Sequence, residues 1–380
     1  MIDPENQDEL KGEIATRIIS DSYILDDLRQ KIRPLLHQVR QIQQRTTTSI
    51  SLVGTDGGNN KVEYDPFLVQ LVRVVDSSNN QYCLEVISPS TNIKEQSMRQ
   101  FNSVEGPSAL GKLMSFLGAR DLVDLSQMIV IDENGLAVSP SWVQVYRHLV
   151  EWAILFDVIR NKDFGTDTLI VFDGLLRSKS FRGRLFEDLI KAIWDSIQER
   201  KRKQKRNIYL VGLAKHTSVL SRYRLAMSLE GVLSTNFPSY VEIPRTIEAE
   251  VYKWDEYSRG IGDQSGEGNK FVGGKMFFAK FGGGRYDPIW PVDVLEYQLP
   301  DADKIFGYLL ADAIHGFPIP FYPLCLQKAH ENAALVDFDY LIMQDFIMDA
   351  IRSHLGMQGH VLDVSRIQET DVASRRYGDD

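Results

Sequence analysis

The stretch TLIVFDGLLRS, residues 168–178, decides the fold class. Its apolar and β-branched residues run without a break up to Asp173, and Gly174 follows. Such a run is typical of a strand buried on both faces, as in the middle of a parallel sheet. Asp173 then stands where the central sheet meets solvent. That position suits a turn or helix cap, and it equally suits a functional carboxylate.

The elements around this strand predict a mixed α/β sheet. Three strand-like runs and a helix precede it, and a basic helix and a further apolar strand follow it; in chain order the segments are 49–56, 67–76, 81–88, 139–161, 168–173, 181–203 and 207–215. The order βββ-α-β-α-β predicts a mixed sheet with parallel strands at one side. In such a sheet the first strand is central, and the fourth lies beside it in parallel.

Residues 1–45 are predicted to be an N-terminal helical segment. Their apolar residues follow a heptad pattern with an a/d seam, formed by Ile18, Leu25, Ile32 and Val39 together with Leu28, Leu35 and Ile42. The seam is either packing within the chain or a contact with a dimer or partner helix. Pro34 interrupts it, which predicts two short helices rather than one rod.

Residues 46–350 form the predicted α/β domain, with an insertion over about 89–140. Later strands are expected in the runs VEIPR, KMFFAKF and PVDVLEY, and another helix is expected after Tyr322 and Pro323. Residues 351–380 end in RRYGDD and are expected to be a disordered tail.

The composition excludes several classes of protein. The chain has 380 residues, of which 43% are hydrophobic, enough for a sizeable core. It has neither an apolar window of membrane-spanning length nor a secretory signal, which predicts a cytoplasmic protein without a membrane span. Cys83 and Cys325 lie in apolar runs without a CxxC partner, so we expect two reduced thiols rather than a disulfide or a zinc site.

Charge is distributed unevenly along the chain. The net charge of −9 argues against a protein that coats nucleic acid by bulk charge. Residues 177–224, however, hold fourteen Lys or Arg against four Asp or Glu, which favours a phosphate-facing surface. The densest part, ERKRKQKRN at 199–207, also suits a solvated helix end. The side chains expected to contact DNA or an acidic partner are Arg177, Arg200, Arg202, Lys203 and Arg206.

Two predicted strands end in Asp-Gly, at Asp56 and at Asp173. Parallel neighbours end at the same edge of a sheet, where open α/β sheets place their sites. Two carboxylates so close together repel each other unless a cation lies between them. Hard divalent ions supply that charge and prefer oxygen ligands. The pair therefore predicts a metal site.

Hydrolysis of a phosphodiester with metal ions usually takes further ligands. Glu151 is the first candidate, because it lies on the helix that leads into the Asp173 strand; its alternative is a surface pair with Arg147, one turn away. His330 is the second candidate, on the helix after Tyr322, where a lone histidine is more often structural.

Five pieces of the chain, taken in order, resemble the NurA-domain family of nucleases. They are VGTDGG, YRHLVEWAI, LIVFDGLL, LVGLAK and YPLCLQKAHENA, and they span about residues 50–334. The resemblance implies an RNase H-like fold and cleavage of DNA that depends on Mn²⁺ or Mg²⁺. It also implies a homodimer that works with HerA, a hexameric DNA-translocating ATPase.

The resemblance assigns roles to particular residues. The family's site residues match five positions here, namely Asp56, Glu151 and Asp173 as acidic metal ligands, His330 as the late histidine and Tyr322 as the tyrosine before its helix. Lys215 matches a family lysine expected to meet substrate phosphate. These roles imply a deoxyribonuclease for single strands or DNA ends, acting as an endonuclease, a 5'-3' exonuclease or both. The expected pathway is end resection, with antiviral defence as the alternative.

The chain departs from the family pattern in two places. Gly58 stands where the first motif usually has Ser, which removes a hydroxyl but no metal ligand. The long insertion leaves Glu85, on the third strand, as the alternative to Glu151.

Two other functions stay open. GTDGGNN resembles the phosphate loop of actin-like and sugar-kinase ATPases, although no GxxxxGK[ST] occurs in the chain. A site that has lost its chemistry would leave a non-catalytic subunit that binds DNA ends or a partner.

Overall fold

The apolar run that ends at Asp173 is a buried strand in the middle of one large sheet. The computed structural model describes residues 6–54, 61–64, 67–88, 90–102, 106–252, 270–335 and 337–355. Within these ranges the sheet has ten strands. They are β1 (Arg40–Gln41), β2 (Thr48–Gly54), β3 (Lys61–Tyr64), β4 (Phe67–Asp76), β5 (Gln81–Ile87), β6 (Thr168–Asp173), β7 (Ile208–Leu213), β8 (Ser239–Glu242), β9 (Gly274–Lys280) and β10 (Ile289–Leu295).

The strand order confirms the predicted α/β fold class. β5, β4, β2, β6 and β7 lie side by side, and β2, β6 and β7 are parallel while β4 is antiparallel to both β2 and β5. This is an RNase H-like arrangement, with the first long strand central. Beyond β7 the sheet continues antiparallel through β10, β9, β8 and β1. Two short strands are additional to the predicted set: β3 pairs with β4, and β1, which lies in the segment predicted to be helical, pairs with β8.

Twelve α-helices occur in the described ranges. They are α1 (Gln7–Ser20), α2 (Ser22–Ile32), α3 (Ile93–Phe101), α4 (Ala109–Leu117), α5 (Leu122–Leu125), α6 (Trp142–Asn161), α7 (Leu185–Gln204), α8 (Ser218–Glu230), α9 (Arg245–Val251), α10 (Ala302–Ala313), α11 (Leu324–Ala333) and α12 (Asp337–Leu355). None of the helices in these ranges is long and apolar enough to cross a bilayer.

The side chains of β6 alternate between two apolar layers. Ile170 and Phe172 join the cluster formed with α6 and α7, whereas Leu169 and Val171 join the cluster formed with α10 and α11. This alternation follows from the period of two along a strand. It explains why the run has no polar residue, because each position faces one of two covered sides. β6 is therefore fixed from both faces, and so is the position of Asp173 at its end.

The region predicted as an insertion packs on α6. Its helices α3, α4 and α5 bury Ile93, Leu113 and Leu122 in the same cluster as Tyr146 and Leu149 of α6. The insertion therefore supports the helix that carries Glu151.

The N-terminal segment forms two helices separated at Asp21, followed by a 3₁₀ helix (Arg33–Gln38) that contains Pro34. Leu28, Ile32 and Leu35 are buried against α8 and neighbouring strands. This half of the heptad seam therefore packs within the chain. Among the described residues α1 buries none of its side chains, and Ile14 and Ile18 are 50% and 65% exposed. A dimer or partner contact through this segment stays a prediction, and α1 is the helix that can make it.

We predict that Ile14→Glu with Ile18→Glu weakens self-association or partner binding without lowering the melting temperature. Both side chains are exposed, so the substitution removes apolar surface only from a contact with another molecule. Sedimentation velocity and thermal melting of the double variant measure the two effects.

Ile32→Ala is the matched control for this test. Ile32 is completely buried, so its truncation should lower the free energy of unfolding by about 2–5 kcal/mol. If the α1 double variant loses comparable stability instead, α1 belongs to the folded core and the contact is internal.

Candidate active site

The candidate site lies at the edge where β2, β6 and β7 have their carboxyl ends. β6 pairs with β2 through Phe172 and Leu52, and with β7 through Asp173 and Leu213. Asp173 therefore stands at the rim of the sheet. The described part of β2 ends at Gly54, so Asp56 lies outside the described residues. The chain nevertheless leaves β2 beside Asp173, two residues before Asp56.

His330 is brought to this edge by α11. Its Nε2 lies 3.4 Å from Asp173 Oδ2, and this buried nitrogen makes no hydrogen bond within the described part of the chain. The amide of Asn332, on the same helix, donates to the Asp76 carbonyl at 3.1 Å and so ties α11 to the end of β4. A ring nitrogen that is buried, unbonded and next to a carboxylate is suited to bind a cation or a donor from a ligand.

Tyr322 is fully buried below the same edge. Its ring packs against Trp290 at 4.8 Å between centroids, and its hydroxyl has no hydrogen-bond partner among the described residues. Burial, and then the negative charge of Asp173, raise the pKa of Tyr322 well above its usual value. The hydroxyl therefore stays protonated, as a hydrogen-bond donor without a partner among the described residues.

Lys215 completes this group. It follows β7, and its Nζ lies 5.8 Å from the centre of the Tyr322 ring. Lys215, Tyr322 and His330 line one cavity of about 550 Å³. Four predicted site residues, Asp173, His330, Tyr322 and Lys215, thus come together at one edge of the sheet.

A second cleft, of about 720 Å³, also reaches Asp173. It is lined by His148 of α6, by Arg177 and His216, and by the first turn of α8. Asp173 lines this cleft and contacts His330 of the first cavity, so the carboxylate connects the two openings.

Glu151 lies on α6 between two cationic or polar neighbours. Its carboxylate is 3.6 Å from Arg147 Nε and 3.6 Å from His148 Nδ1. The side chain is only 17% exposed, so the pair with Arg147 is partly buried rather than a surface pair. His148, which contacts Glu151, lines the cleft that contains Asp173. One side chain therefore separates Glu151 from this cleft.

His148 was not among the predicted site residues. Its Nε2 accepts a hydrogen bond from Trp152 Nε1 at 3.1 Å, and the Ser178 hydroxyl lies 3.1 Å from the same nitrogen. Because the indole N–H can only donate, Nε2 must be the acceptor and Nδ1 carries the proton of the neutral ring. That N–H faces Glu151. The signal in the sequence was the spacing of His148 and Glu151, which places both on one helix face.

Glu85, the alternative to Glu151, is held in a separate polar network. Its carboxylate accepts from the Tyr146 hydroxyl at 2.6 Å and from Gln96 Nε2 at 2.7 Å. It lines neither of the two cavities that the described residues form around Asp173 and His330. These contacts join β5, α3 and α6, which is a structural role.

The donor set around Asp173 fits a divalent ion in part. Asp173 offers a carboxylate, the ligand type that Mg²⁺ and Mn²⁺ prefer, and His330 offers an unbonded imidazole nitrogen, a ligand type of transition metals. Within the ranges that the structure describes, no group of three or more His, Cys, Asp or Glu side chains converges on one point. Asp56, two residues beyond the described end of β2, lies outside these ranges.

Arg177 occupies a different place from the one predicted. Its guanidinium forms two hydrogen bonds with Asp293, at 2.8 and 2.9 Å, and an ion pair with Glu248 at 2.7 Å. All three side chains are buried. The geometry assigns Arg177 to joining β10, α9 and the segment after β6, rather than to free phosphate contacts.

The basic segment lies at the opposite edge of the sheet from Asp173. It ends α7 and precedes β7, and Asn207 bonds to Asp167 just before β6 begins, at 2.8 and 2.9 Å. A six-residue strand spans about 20 Å, which separates this edge from the other. The segment contains Arg200, Arg202, Lys203 and Arg206; Lys203 pairs with Glu199 at 2.6 Å, and Arg200 donates to the Arg160 carbonyl. A DNA surface formed by these residues would be separate from the Asp173 site.

Comparison with known proteins finds similarity in structure only. No model of a protein family and no curated protein sequence matches the chain. The crystal structure of the NurA nuclease from Sulfolobus solfataricus is similar over 94% of this chain and 99% of its own, with 13% identity and a TM-score of 0.41. A second NurA crystal structure has the same coverage, with 10% identity and a TM-score of 0.42.

We predict that Tyr322→Phe leaves the free energy of unfolding unchanged or raises it by about 1 kcal/mol. A buried hydroxyl without a partner costs about 1–3 kcal/mol of desolvation, and the substitution removes it without creating a cavity. Urea denaturation of the metal-free protein measures the change.

Tyr146→Phe is the matched control, because this equally buried hydroxyl is bonded to Glu85, Gln96 and Gln100. It should lower the stability by about 1–3 kcal/mol. A similar loss in Tyr322→Phe would show that the Tyr322 hydroxyl is bonded in the folded protein.

Proposed function

We propose that this chain is a metal-dependent deoxyribonuclease whose centre is Asp173. The observation that carries the proposal is the pairing of Asp173 with the unbonded Nε2 of His330, at the edge where the chain leaves β2 towards Asp56. A carboxylate and an imidazole at such an edge form part of a ligand set for a divalent ion. A lysine in the adjoining cavity supplies the charge that a phosphodiester needs.

Asp173, His330 and Asp56 would hold the ion, with Mn²⁺ or Mg²⁺ as the proposed cofactor. The ion would supply Lewis-acid stabilisation of the charge that develops on the phosphate. Glu151 is the proposed further acidic residue, and Glu85 is not, because its carboxylate is already bonded to Tyr146 and Gln96.

The remaining residues have roles that follow from their contacts. Lys215 lines the cavity that contains His330 and would bind a substrate phosphate as a point charge. Tyr322 is completely buried, so its hydroxyl, which has no partner among the described residues, would hold a neighbouring group of the site in position rather than contact the substrate. His148 directs its N–H at Glu151 and would hold that carboxylate in one orientation.

The cellular role is proposed from the family resemblance of the five sequence pieces. It comprises a cytoplasmic homodimer that processes single-stranded DNA or DNA ends, together with a HerA-type ATPase, in end resection. The chain's net charge of −9 agrees with dependence on a partner, since bulk charge gives it little attraction to DNA.

We predict that Asp173→Asn reduces Mn²⁺-dependent cleavage of labelled single-stranded DNA to the level seen with EDTA. Loss of one carboxylate removes a proposed metal ligand, and the melting temperature should stay the same or rise because carboxylate repulsion is relieved. Gel analysis of cleavage and thermal melting measure the two effects.

Glu85→Gln is the matched control and should keep cleavage while losing stability. Full activity in Asp173→Asn would contradict the proposed site. Turnover of ATP without loss of DNA in the unmodified protein would favour the actin-like alternative.

We predict that Lys215→Ser flattens the salt dependence of single-strand binding, whereas the quadruple change Arg200, Arg202, Lys203 and Arg206 to Ser does not. Each lost phosphate contact lowers the slope of log affinity against log salt by about 0.7. Fluorescence anisotropy with a short oligonucleotide at several salt concentrations measures the slope. A flatter slope for the quadruple variant alone would place the nucleic acid at the opposite edge of the sheet.

A further inference from the structure

Two exposed aromatic side chains lie in loops at the carboxyl end of the sheet, the end that contains the candidate site. Phe317, in the loop between α10 and α11, is 79% exposed and lines the same cavity as Lys215 and His330. Tyr286, at the tip of the β9–β10 hairpin, is 92% exposed. Exposed aromatics are ordinary when they are scattered, but Phe317 lines an opening that already contains a basic side chain, and the hairpin of Tyr286 lies at the same end of the sheet.

The hairpin tip lies at the carboxyl edge of the sheet. β10 is antiparallel to β7, and Val292 pairs with Leu213, so the start of β10 lies near the end of β7. Trp290 contacts the ring of Tyr322, and Tyr286 is four residues earlier in the chain. β10 is two strands away from β6, which corresponds to about 10 Å across the sheet.

The hairpin tip is held by buried polar contacts. Lys280 is completely buried, and its Nζ donates to the carbonyls of Thr235 and Gly284 at 2.6 and 2.7 Å. Asp287 accepts from the Gly284 N–H at 2.6 Å, and a Cβ on Gly282 would lie 1.9 Å from the Asp287 carboxylate. The GGGRYD tip is thus a tightly closed turn that leaves the Tyr286 ring in solvent.

The loop that carries Phe317 is fixed in a similar way. The Gln327 side chain accepts from the Ile319 N–H at 2.8 Å and donates to the carbonyls of Ile319 and Tyr322 at 3.0 and 2.9 Å. A Cβ on Gly316 would lie 2.3 Å from the Tyr322 carbonyl. Both loops therefore hold an aromatic ring in solvent on a rigid backbone. A ring that is already held in place loses little conformational entropy when a flat partner binds to it.

We propose that Phe317 and Tyr286 are a base-stacking platform for single-stranded nucleic acid that enters the site past Lys215; the proposal rests on the proposed nuclease function. Single strands bind to surfaces that combine aromatic rings with cations. Each base offers a π-face for stacking, and each phosphodiester linkage carries a negative charge. Arg285, next to Tyr286, adds a second cation. Duplex bases are already stacked on each other, so the platform selects unpaired strands.

The test uses binding rather than cleavage, so it does not depend on the chemistry. In the Asp173→Asn background with EDTA, the affinities for oligodeoxythymidine and for an abasic strand of equal length are compared by anisotropy. The parent should bind the thymidine strand more tightly. Phe317→Ala with Tyr286→Ala should lose about 5-fold to 100-fold per stacked base on that strand and almost nothing on the abasic strand.

Control variants and further ligands distinguish stacking from other effects. Phe317→Tyr with Tyr286→Phe should bind like the parent, since both rings are kept, and so should Tyr23→Ala, an exposed tyrosine in neither loop. Oligouridine should show the same loss if RNA is also bound, and a blunt duplex should show none. Unchanged thymidine binding, or equal losses on both single strands, would overturn the platform, and a partner protein would then explain the exposed rings. Separate failure of the unmodified protein to cleave DNA would refute the nuclease function without deciding the platform.

Discussion

The site depends on the parallel pairing of β6 with β2 and β7. Parallel neighbours must end at the same edge, so this pairing brings the last residue of β6 next to the ends of β2 and β7. Asp173 and Lys215 meet for this reason, although they are far apart in the chain. The apolar residues of β6, covered on both faces, fix the register, because a slip of one position would exchange the two buried sides. The helix α11, which packs against one face of the sheet, then brings His330 to this edge.

The same topology explains where the basic residues lie. In a β-α-β unit the helix returns the chain to the start of the next parallel strand, so the end of α7 and the end of β6 are on opposite edges. Arg200, Arg202, Lys203 and Arg206 precede β7, while Lys215 follows it. A count of charges along the sequence places the basic residues of both edges in one continuous stretch. The strand order separates them, and only Lys215 stays with Asp173.

The sequence predicted the parts of the fold that local pattern determines. Local periodicity shows whether a segment is buried on two faces or along one stripe. It therefore predicted the apolar run before Asp173, the later strands and the helix after Tyr322. The polar contacts could not be predicted, since they join distant parts of the chain. Arg177 was expected to meet phosphate, yet Asp293 and Glu248 reach it from elements more than seventy residues away. His148 was missed because its contact with Ser178 joins two separate elements. The exposed rings of Phe317 and Tyr286 are visible only once their loops are placed.

The most direct test of the account is pulsed electron paramagnetic resonance of Mn²⁺ added to the protein. We expect a bound ion that shows the nitrogen coupling of one imidazole. The coupling should be absent in His330→Ala, and the bound ion itself should be lost in Asp173→Asn. Tight Mn²⁺ binding that shows no nitrogen coupling and is unchanged by Asp173→Asn would place the metal elsewhere and contradict the central claim.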